Sequence, residues 1–260
     1  MLYYKLKNNN KKETIVVIHG LGGNCGCFAK QYKLLNKYFN VLFVDLHSHG
    51  KSKECKLSQK TDISFKAISD DIINILNDND IQQAYFLGLS LGTIVVHSIV
   101  MYYEERVKSI IQVGTVFKYS FLSCLCMTIA NFIKEFLPRD FLYKMTAYAI
   151  MPRKRHKESR NFFIKAALTC LDKKELSVWF KTIIDFSKMF KVDKLKNSKI
   201  SKLYIIGEED YVFLRNVIDY TQKDLNSKYI IIKNAGHICN MDNSLEVNNQ
   251  LENYFKAIGI

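Results

Sequence analysis

The chain has 260 residues, enough for one substantial hydrophobic core or two small domains. Its 48% hydrophobic and 24% charged residues are ordinary globular values, which exclude intrinsic disorder, a collagen-like fibre and an all-helical repeat. A net charge of +13 favours nucleic acid, an anionic membrane or acidic substrates as partners, unless the charge is confined to one region.

Short β-branched runs alternate with segments of helical periodicity along most of the chain. The predicted elements, in chain order, are an edge strand at 2–6, a buried strand at 14–19, a helix at 28–38, a strand at 41–45, a helix at 65–76, a strand at 84–89, a helix at 91–103, a strand at 107–113, a strand at 203–206, a helix at 212–223, a strand at 229–232 and a helix at 244–257. Apolar strands separated by helices predict an α/β fold with a mostly parallel central sheet flanked by helices. In such sheets ligands bind at the carboxyl ends of the strands.

Residues 115–199, called the inserted segment below, contain no convincing strand. Helices are predicted there at 121–136, 139–150, 158–171 and 174–189. The apolar stretch at 120–137 contains polar and charged residues that a membrane-spanning helix would avoid, so we expect a helix that packs on other protein. We predict one α/β domain formed by 1–114 and 200–260, with 115–199 as a helical cap beside the carboxyl ends of the strands.

The pentapeptide Gly88-Leu-Ser-Leu-Gly92 lies where the strand at 84–89 turns into the helix at 91–103. A sharp turn of this kind exposes the hydroxyl of Ser90 at the sheet edge, and the two glycines relieve crowding. The backbone N–H of Leu91, at the positive end of the helix, faces an oxyanion that forms beside Ser90. A small-residue turn without chemistry is the alternative, and the flanking strand and helix favour the nucleophile.

The strand at 14–19 ends in a glycine-rich loop made of His19, Gly20, Leu21, Gly22 and Gly23. The glycines allow the backbone to come close to a reacting carbonyl group, so the N–H of Leu21 is a second candidate oxyanion donor. We expect His19 to shape this loop and not to act as a base. A phosphate-binding loop is excluded because no glycine-rich nucleotide motif has the required spacing here.

The next strand is followed by Asp45-Leu-His-Ser-His-Gly-Lys-Ser52. With this motif the chain resembles the α/β-hydrolase superfamily, whose members typically carry H-G-x-G-G, D-x-x-G-x-G-x-S and G-x-S-x-G in this order. Ser48 departs from the pattern, because glycine is usual there, and a slightly different backbone is expected. His47 and His49 are conceivable metal ligands, but no third ligand is apparent, so we predict a structural loop and no metal site.

A serine nucleophile needs a base, and the base needs an acid that fixes its tautomer. The resemblance implies the order serine, acid, histidine along the chain. It implies Asp210 as the acid, at the turn after the first strand beyond the inserted segment, with Glu208 and Glu209 as competitors. It implies His237, on the loop after the last strand, as the base. The predicted catalytic residues are Ser90, Asp210 and His237.

A serine at the turn indicates acyl transfer, whereas members of the superfamily with aspartate there form alkyl-enzyme esters. We therefore predict a serine hydrolase, without a cofactor, that cleaves carboxylic esters of small to medium apolar acyl groups through a Ser90 acyl-enzyme. Two alternatives stay open. One is the same triad acting on a thioester, a lactone, an amide or a C–C bond, and the other is a non-catalytic ligand-sensing protein on the same fold.

The positive charge is concentrated in the inserted segment, which has 18 Lys and Arg against 7 Asp and Glu, whereas the other residues have 20 against 18. A solvated surface explains this distribution, notably the basic run at 153–160. The alternative is a lid whose basic rim weakly contacts an anionic membrane surface or an acidic substrate, over an apolar underside. The predicted underside residues are Phe121, Leu122, Leu125, Phe132, Ile133 and Phe136. Nucleic acid is not expected as a partner.

The N-terminus and the cysteines indicate a cytoplasmic protein. The first ten residues contain no apolar region of signal-peptide length. Seven scattered cysteines, at 25, 27, 55, 124, 126, 170 and 239, have neither zinc-pair spacing nor the pattern of a disulfide framework. We expect free thiols in a reducing compartment.

Overall fold

A computed structural model describes residues 1–117, 136–190 and 192–260 of the chain. Within them, seven strands form one sheet in the order β1-β3-β2-β4-β5-β6-β7. The strands are β1 (Tyr4–Lys7), β2 (Thr14–Ile18), β3 (Asn40–Val44), β4 (Ala84–Leu89), β5 (Val107–Val113), β6 (Ser201–Gly207) and β7 (Ser227–Ile232). Only β1 is antiparallel to its neighbour, and the other five neighbouring pairs are parallel. The predicted mostly parallel sheet is confirmed.

Helices cover both faces of this sheet, as the buried β-branched strands require. The helices of the described residues are α1 (Tyr32–Tyr38), α2 (Phe65–Asp78), α3 (Leu91–Tyr103), α4 (Arg139–Ile150), α5 (Lys157–Cys170), α6 (Lys173–Met189), α7 (Val192–Asn197), α8 (Leu214–Thr221), α9 (Cys239–Asp242) and α10 (Ser244–Ala257). One apolar core contains Ile72 of α2 and Val96 of α3, and the other contains Leu35 of α1 and Phe255 of α10. The sheet therefore separates two apolar cores.

Two predicted helices are shorter in the structure because local side-chain bonds favour other backbone conformations. The predicted helix at 28–38 begins only at Tyr32, because Asn24 accepts the Gly26 N–H and starts a separate 3₁₀ turn at Cys25–Phe28. The predicted helix at 212–223 is restricted to Leu214–Thr221, and Asp210 accepts the N–H of the residue before it.

The described part of the inserted segment is helical, as predicted, with a short helix α7 that the sequence pattern did not indicate. The predicted helix at 121–136 lies almost wholly outside the described residues, together with Cys124, Cys126 and the predicted underside residues other than Phe136, which is 77% exposed. No helix in the described ranges is long and apolar enough to cross a membrane. The five cysteines of these ranges are free thiols.

Candidate active site

Ser90 lies at the turn between β4 and α3 in a backbone conformation that side chains rarely adopt, with φ 50° and ψ −111°. The glycines on either side are required by space. A Cβ on Gly88 would lie 2.8 Å from the Gly92 backbone, and a Cβ on Gly92 would lie 2.3 Å from the Ile18 carbonyl oxygen of β2. The pentapeptide therefore allows a strained turn packed tightly against the neighbouring strand.

Hydrogen bonds from neighbouring elements hold this turn. The Ser90 N–H donates to the Val113 carbonyl at the end of β5 over 3.0 Å. The Thr93 hydroxyl donates to the Ser90 carbonyl over 2.6 Å and accepts the Val116 N–H over 3.1 Å. Thr93 was not predicted as a functional residue, and it joins the turn to the start of the inserted segment.

The structure brings Ser90, His237 and Asp210 together across 147 and 27 residues of sequence. The Ser90 Oγ is 2.8 Å from the His237 Nε2, and the His237 Nδ1 is 2.7 Å from the Asp210 Oδ2. Asp210 is fully buried and His237 is 4% exposed, whereas Ser90 is partly exposed. In the tautomer that fits these contacts, Nδ1–H donates to Asp210 and Nε2 accepts the serine proton.

Of the three acidic residues after β6, only Asp210 contacts His237. Its other oxygen, Oδ1, accepts the Phe213 N–H over 3.2 Å, which orients the carboxylate. Glu208 is exposed and accepts the Asn234 N–H. Glu209 points the other way, to His156 of the inserted segment, at 2.9 Å. The geometry thus separates the acid implied by the resemblance from its two competitors.

Two buried histidines shape the glycine-rich loop after β2. The His19 Nδ1–H donates to the Gly20 carbonyl over 2.8 Å, and its Nε2 accepts the Leu46 N–H over 3.0 Å. In the same way the His49 Nε2 accepts the Gly22 N–H over 2.9 Å. Burial lowers the pKa of His19, and burial with the neighbouring His19 lowers the pKa of His49 well below its ordinary value. Both rings therefore stay neutral at pH 7 and can accept N–H groups.

The glycine-rich loop closely approaches Ser90. A Cβ on Gly20 would lie 3.2 Å from the Ser90 Cβ, and the Gly23 N–H closes the turn by donating to the Gly20 carbonyl over 3.0 Å. Leu21 therefore lies between Gly20 and Gly22, whose backbones are both held by hydrogen bonds. Leu91 is the first residue of α3. The two predicted oxyanion donors thus belong to the two segments that meet at Ser90.

The loop after β3 places Ser48 in a left-handed backbone conformation. Ser48, at the usual glycine position, has a φ of 64°, which favours glycine and which other side chains rarely adopt. The Ser48 hydroxyl donates to Glu175 of α6, which is 1% exposed and also accepts from the Ser58 hydroxyl and the Leu57 N–H. Glu175 was not predicted as a functional residue, because an isolated acid on a helix carries no recognisable signal.

The inserted segment reaches the glycine-rich loop through α5. A Cβ on Gly22, whose φ is +70°, would lie 2.8 Å from the Phe163 ring and 2.9 Å from the Ala167 Cβ. A cavity of about 270 Å³ lies between α5 and the loops that contain Asn24 and Gly50. The helices between β5 and β6 therefore pack on the loop that carries one of the predicted oxyanion donors.

The two histidines considered as metal ligands have other partners. The His47 Nε2 is 3.0 Å from the Asp71 Oδ2, and His49 holds the glycine-rich loop. Among the described residues, no group of three or more His, Cys, Asp or Glu side chains is arranged to hold a metal ion.

Comparisons with known proteins identify relatives of this chain. A family model for the α/β-hydrolase fold matches residues 13–145, about half of the chain. Esterase YbfF of Escherichia coli is 26% identical over 110 residues, 41% of this chain and 40% of that protein. The pimeloyl-[acyl-carrier protein] methyl ester esterase of Wigglesworthia glossinidia brevipalpis is 26% identical over 239 residues, 86% of each chain. The chain spans about two fifths of the length of the first curated relatives that it matches.

Solved structures agree with this assignment of the fold. A thermophilic esterase from Thermogutta terrifontis matches with a TM-score of 0.82, over 100% of this chain and 94% of that one, at 16% identity. At this identity the likeness establishes the fold alone. The α/β-hydrolase fold implied by the three sequence motifs is confirmed.

Proposed function

The chain belongs to the α/β-hydrolase family, and we propose that it is a serine hydrolase that cleaves carboxylic esters of small to medium apolar acyl groups. The observation that carries the proposal is the hydrogen-bonded series from Ser90 through His237 to Asp210, with distances of 2.8 and 2.7 Å. Esterase names among the relatives support an ester as the substrate class.

The proposed first half of the reaction forms an acyl-enzyme. The Ser90 Oγ attacks the ester carbonyl carbon while the His237 Nε2 takes the hydroxyl proton. The buried carboxylate of Asp210 holds the imidazole in the right tautomer and stabilises the imidazolium ion that forms. His237 then gives the proton to the leaving alkoxide, so that the alcohol departs and the acyl group stays on Ser90.

The tetrahedral intermediate needs donors for its oxyanion, and the N–H groups of Leu21 and Leu91 are proposed for this role. Leu91 begins α3, whose N-terminal end carries partial positive charge. Fixed donors of this kind stabilise the transition state by about 3–4 kcal/mol each in other hydrolases. A water molecule, deprotonated by His237, then attacks the acyl-enzyme and releases the acid.

We propose that the inserted segment acts as a cap that limits the size of the acyl group. The contact of α5 with the Gly22 loop supports this role, because the loop lies beside Ser90. Its excess of basic residues favours anionic esters or an acidic surface as partners. Nucleic acid is not expected, because a cap over the serine turn is an unusual place for it.

A fluorophosphonate probe tests the nucleophile. Folded wild-type protein should be labelled, and Ser90→Ala should not, because only an activated serine attacks the probe. Glu208→Gln, at an exposed acid after the same strand, serves as the control and should be labelled at the wild-type rate. Absence of labelling in folded wild-type protein would contradict the enzyme and favour the ligand-sensing alternative.

A panel of p-nitrophenyl esters, methyl esters, acyl thioesters, lactones and amides tests the substrate class. We expect hydrolysis of short and medium-chain esters at a higher kcat/KM than of amides. If the probe labels Ser90 while all esters and thioesters remain intact, the esterase assignment is wrong, and a lactone, amide or C–C substrate replaces it.

A further inference from the structure

His156 is buried although it lies in the most basic run of the chain. It ends the short 3₁₀ turn Lys154–His156, just before α5, and is 0% exposed, whereas its neighbours Lys154 and Lys157 are exposed. A buried imidazole needs polar partners to offset the lost hydration.

These partners are two acidic residues from the ranges 1–114 and 200–260, called the sheet region below. The His156 Nε2 is 2.9 Å from the Glu209 Oε2 and 3.9 Å from the Asp242 Oδ2. On its other side the Nδ1 accepts the Arg153 N–H over 3.4 Å. A neutral ring with its proton on Nε2 satisfies both sides, so Nε2–H is the donor to Glu209.

Both acids are hydrogen-bonded to the loop that carries His237, and Glu209 is also the neighbour of Asp210 in the chain. Glu209 directly precedes Asp210, and its N–H donates to the Ala235 carbonyl over 2.9 Å. Asp242 accepts the N–H of Gly236, the residue before His237, over 2.9 Å. His156 thus contacts Glu209, which is next to Asp210, and Asp242, which binds the residue next to His237.

The imidazole also packs directly on the histidine loop. A Cβ on Gly236 would lie 2.7 Å from the His156 Cε1 and 2.9 Å from its Nε2, so only glycine fits beneath the ring. The Asp242 carboxylate is held in addition by the Ser159 hydroxyl of α5 over 2.6 Å. The inserted segment therefore contacts this loop through both packing and hydrogen bonds.

Two arginines surround Glu209 from the solvent side. The Arg155 Nε is 3.6 Å from the Glu209 Oε2, and the Arg153 Nε is 3.9 Å from its Oε1. Both arginines are about half exposed, so their ion pairs contribute little alone. The contact with the buried His156 ring, at 2.9 Å, is shorter than either arginine contact of the Glu209 carboxylate.

We propose that His156 is a positioning residue of the inserted segment. It holds the loops of Asp210 and His237 at the spacing that proton transfer needs. This inference rests on the proposed function of the same site. His156 reaches neither Ser90 nor the substrate and acts only through Glu209, Asp242 and Gly236. Docking of the inserted segment is then a condition for a correctly spaced Asp210–His237 pair.

The experiment compares His156→Phe, which keeps a ring but removes the donor, with His156→Gln, whose amide N–H replaces it. In His156→Phe we expect kcat for a p-nitrophenyl ester to fall about 10²-fold with little change in KM, because a small misplacement of the base lowers the rate by this amount. His156→Gln should recover most of the loss. Asp185→Asn, at an exposed position of the same inserted segment, should match the wild type.

Proton NMR detects the hydrogen bond between His237 and Asp210 without any turnover. The Nδ1 proton of His237, bound to Asp210, should give a far-downfield signal in the wild type and in His156→Gln, and this signal should broaden or move upfield in His156→Phe. A folded His156→Phe with wild-type kcat and an unchanged signal overturns the proposal. An inactive wild type that shows the signal contradicts the proposed function alone.

A second variant covers the case in which His156→Phe does not fold. Glu209→Met removes the acceptor at a side chain that is 12% exposed. It should lower kcat about as much as His156→Phe does, and the double variant should be no slower, because both changes break one contact. A folded Glu209→Met with wild-type kcat and signal also overturns the proposal.

Discussion

The sheet region and the inserted segment use polar residues in different ways. In the sheet region, functional groups follow strand ends and depend on backbone geometry, such as the strained turn at Ser90. In the inserted segment, isolated buried residues, His156 and Glu175, reach across to loops of the sheet region. Functional residues at strand ends can be predicted from the local sequence. Buried residues of the inserted segment depend on how its helices pack on the sheet region, which the local sequence does not show.

The largest expected effect lies in the sheet region, at the acid. Asp210→Asn should lower kcat about 10⁴-fold with an unchanged fold, because the amide favours the wrong tautomer of His237. Steady-state kinetics on the best ester of the panel, with circular dichroism for the fold, would measure this. Glu208→Gln, two residues earlier, should keep wild-type kcat. If both variants lose the same activity, the geometric distinction between the acids is wrong.

The next effect lies at the contact of α6 with the sheet region. Glu175→Ala leaves the Ser48 and Ser58 hydroxyls without their acceptor, so the free energy of unfolding should fall by about 1–3 kcal/mol. Urea unfolding followed by tryptophan fluorescence would measure it. Asp185→Ala, at an acid of α6 that is 53% exposed, should change the unfolding free energy by less than about 0.5 kcal/mol. Equal losses would mean that the buried contact does not stabilise the protein.

His97 lies where the two regions meet, stacked between Phe117 and Phe190 at 5.3 Å from each ring. Burial lowers its pKa from 6.5 to about 3. Between these pH values the unfolded chain binds one more proton here than the folded chain, so acid lowers the stability.

The variant His97→Phe removes this proton uptake. Its free energy of unfolding should fall less steeply below pH 6, by up to about 1.4 kcal/mol per pH unit, whereas the slopes should coincide above pH 7.5. Urea unfolding at a series of pH values measures both slopes. Parallel curves at all pH values would show that His97 does not contribute to acid lability.

The smallest effect on stability is expected at the exposed lysines of the basic run. Lys154→Gln combined with Lys157→Gln should change the unfolding free energy by less than about 0.5 kcal/mol, yet lower kcat/KM for an anionic ester relative to a neutral one at low salt. Lys5→Gln with Lys12→Gln makes the same charge change at exposed positions of the sheet region and should not alter this ratio. Equal effects would show that only the net charge matters.

Most of the sheet region could be predicted because its signals are local. The helix at 91–103 and the strands at 84–89 and 107–113 have the predicted bounds. Asp210 and His237 follow strands that the apolar pattern already indicated, so their meeting at Ser90 follows from the parallel sheet. The prediction was wrong for the first residues of the helix at 28–38, because Asn24 caps a separate turn there.

The contacts of the inserted segment could not be predicted, because they are long-range and involve single residues. His156 lies among charged neighbours, and nothing in the sequence says which of them is buried. The basic run was interpreted as either a solvated surface or a basic rim, but Arg160 is 6% exposed and lies 4.5 Å from the Tyr148 ring. The packing of α5 on the loops decides which basic residues of this run are buried and which are exposed.

The left-handed backbone of Ser48 has a consequence for how this sequence can vary. A glycine would adopt the same φ of 64° without strain, but it would lack the hydroxyl that reaches Glu175. Replacing Ser48 by glycine therefore relieves the backbone strain but leaves the buried Glu175 carboxylate with one hydrogen-bond donor fewer. In homologous chains we expect covariation of these two positions, with serine retained where α6 carries the acid and glycine where the acid is absent.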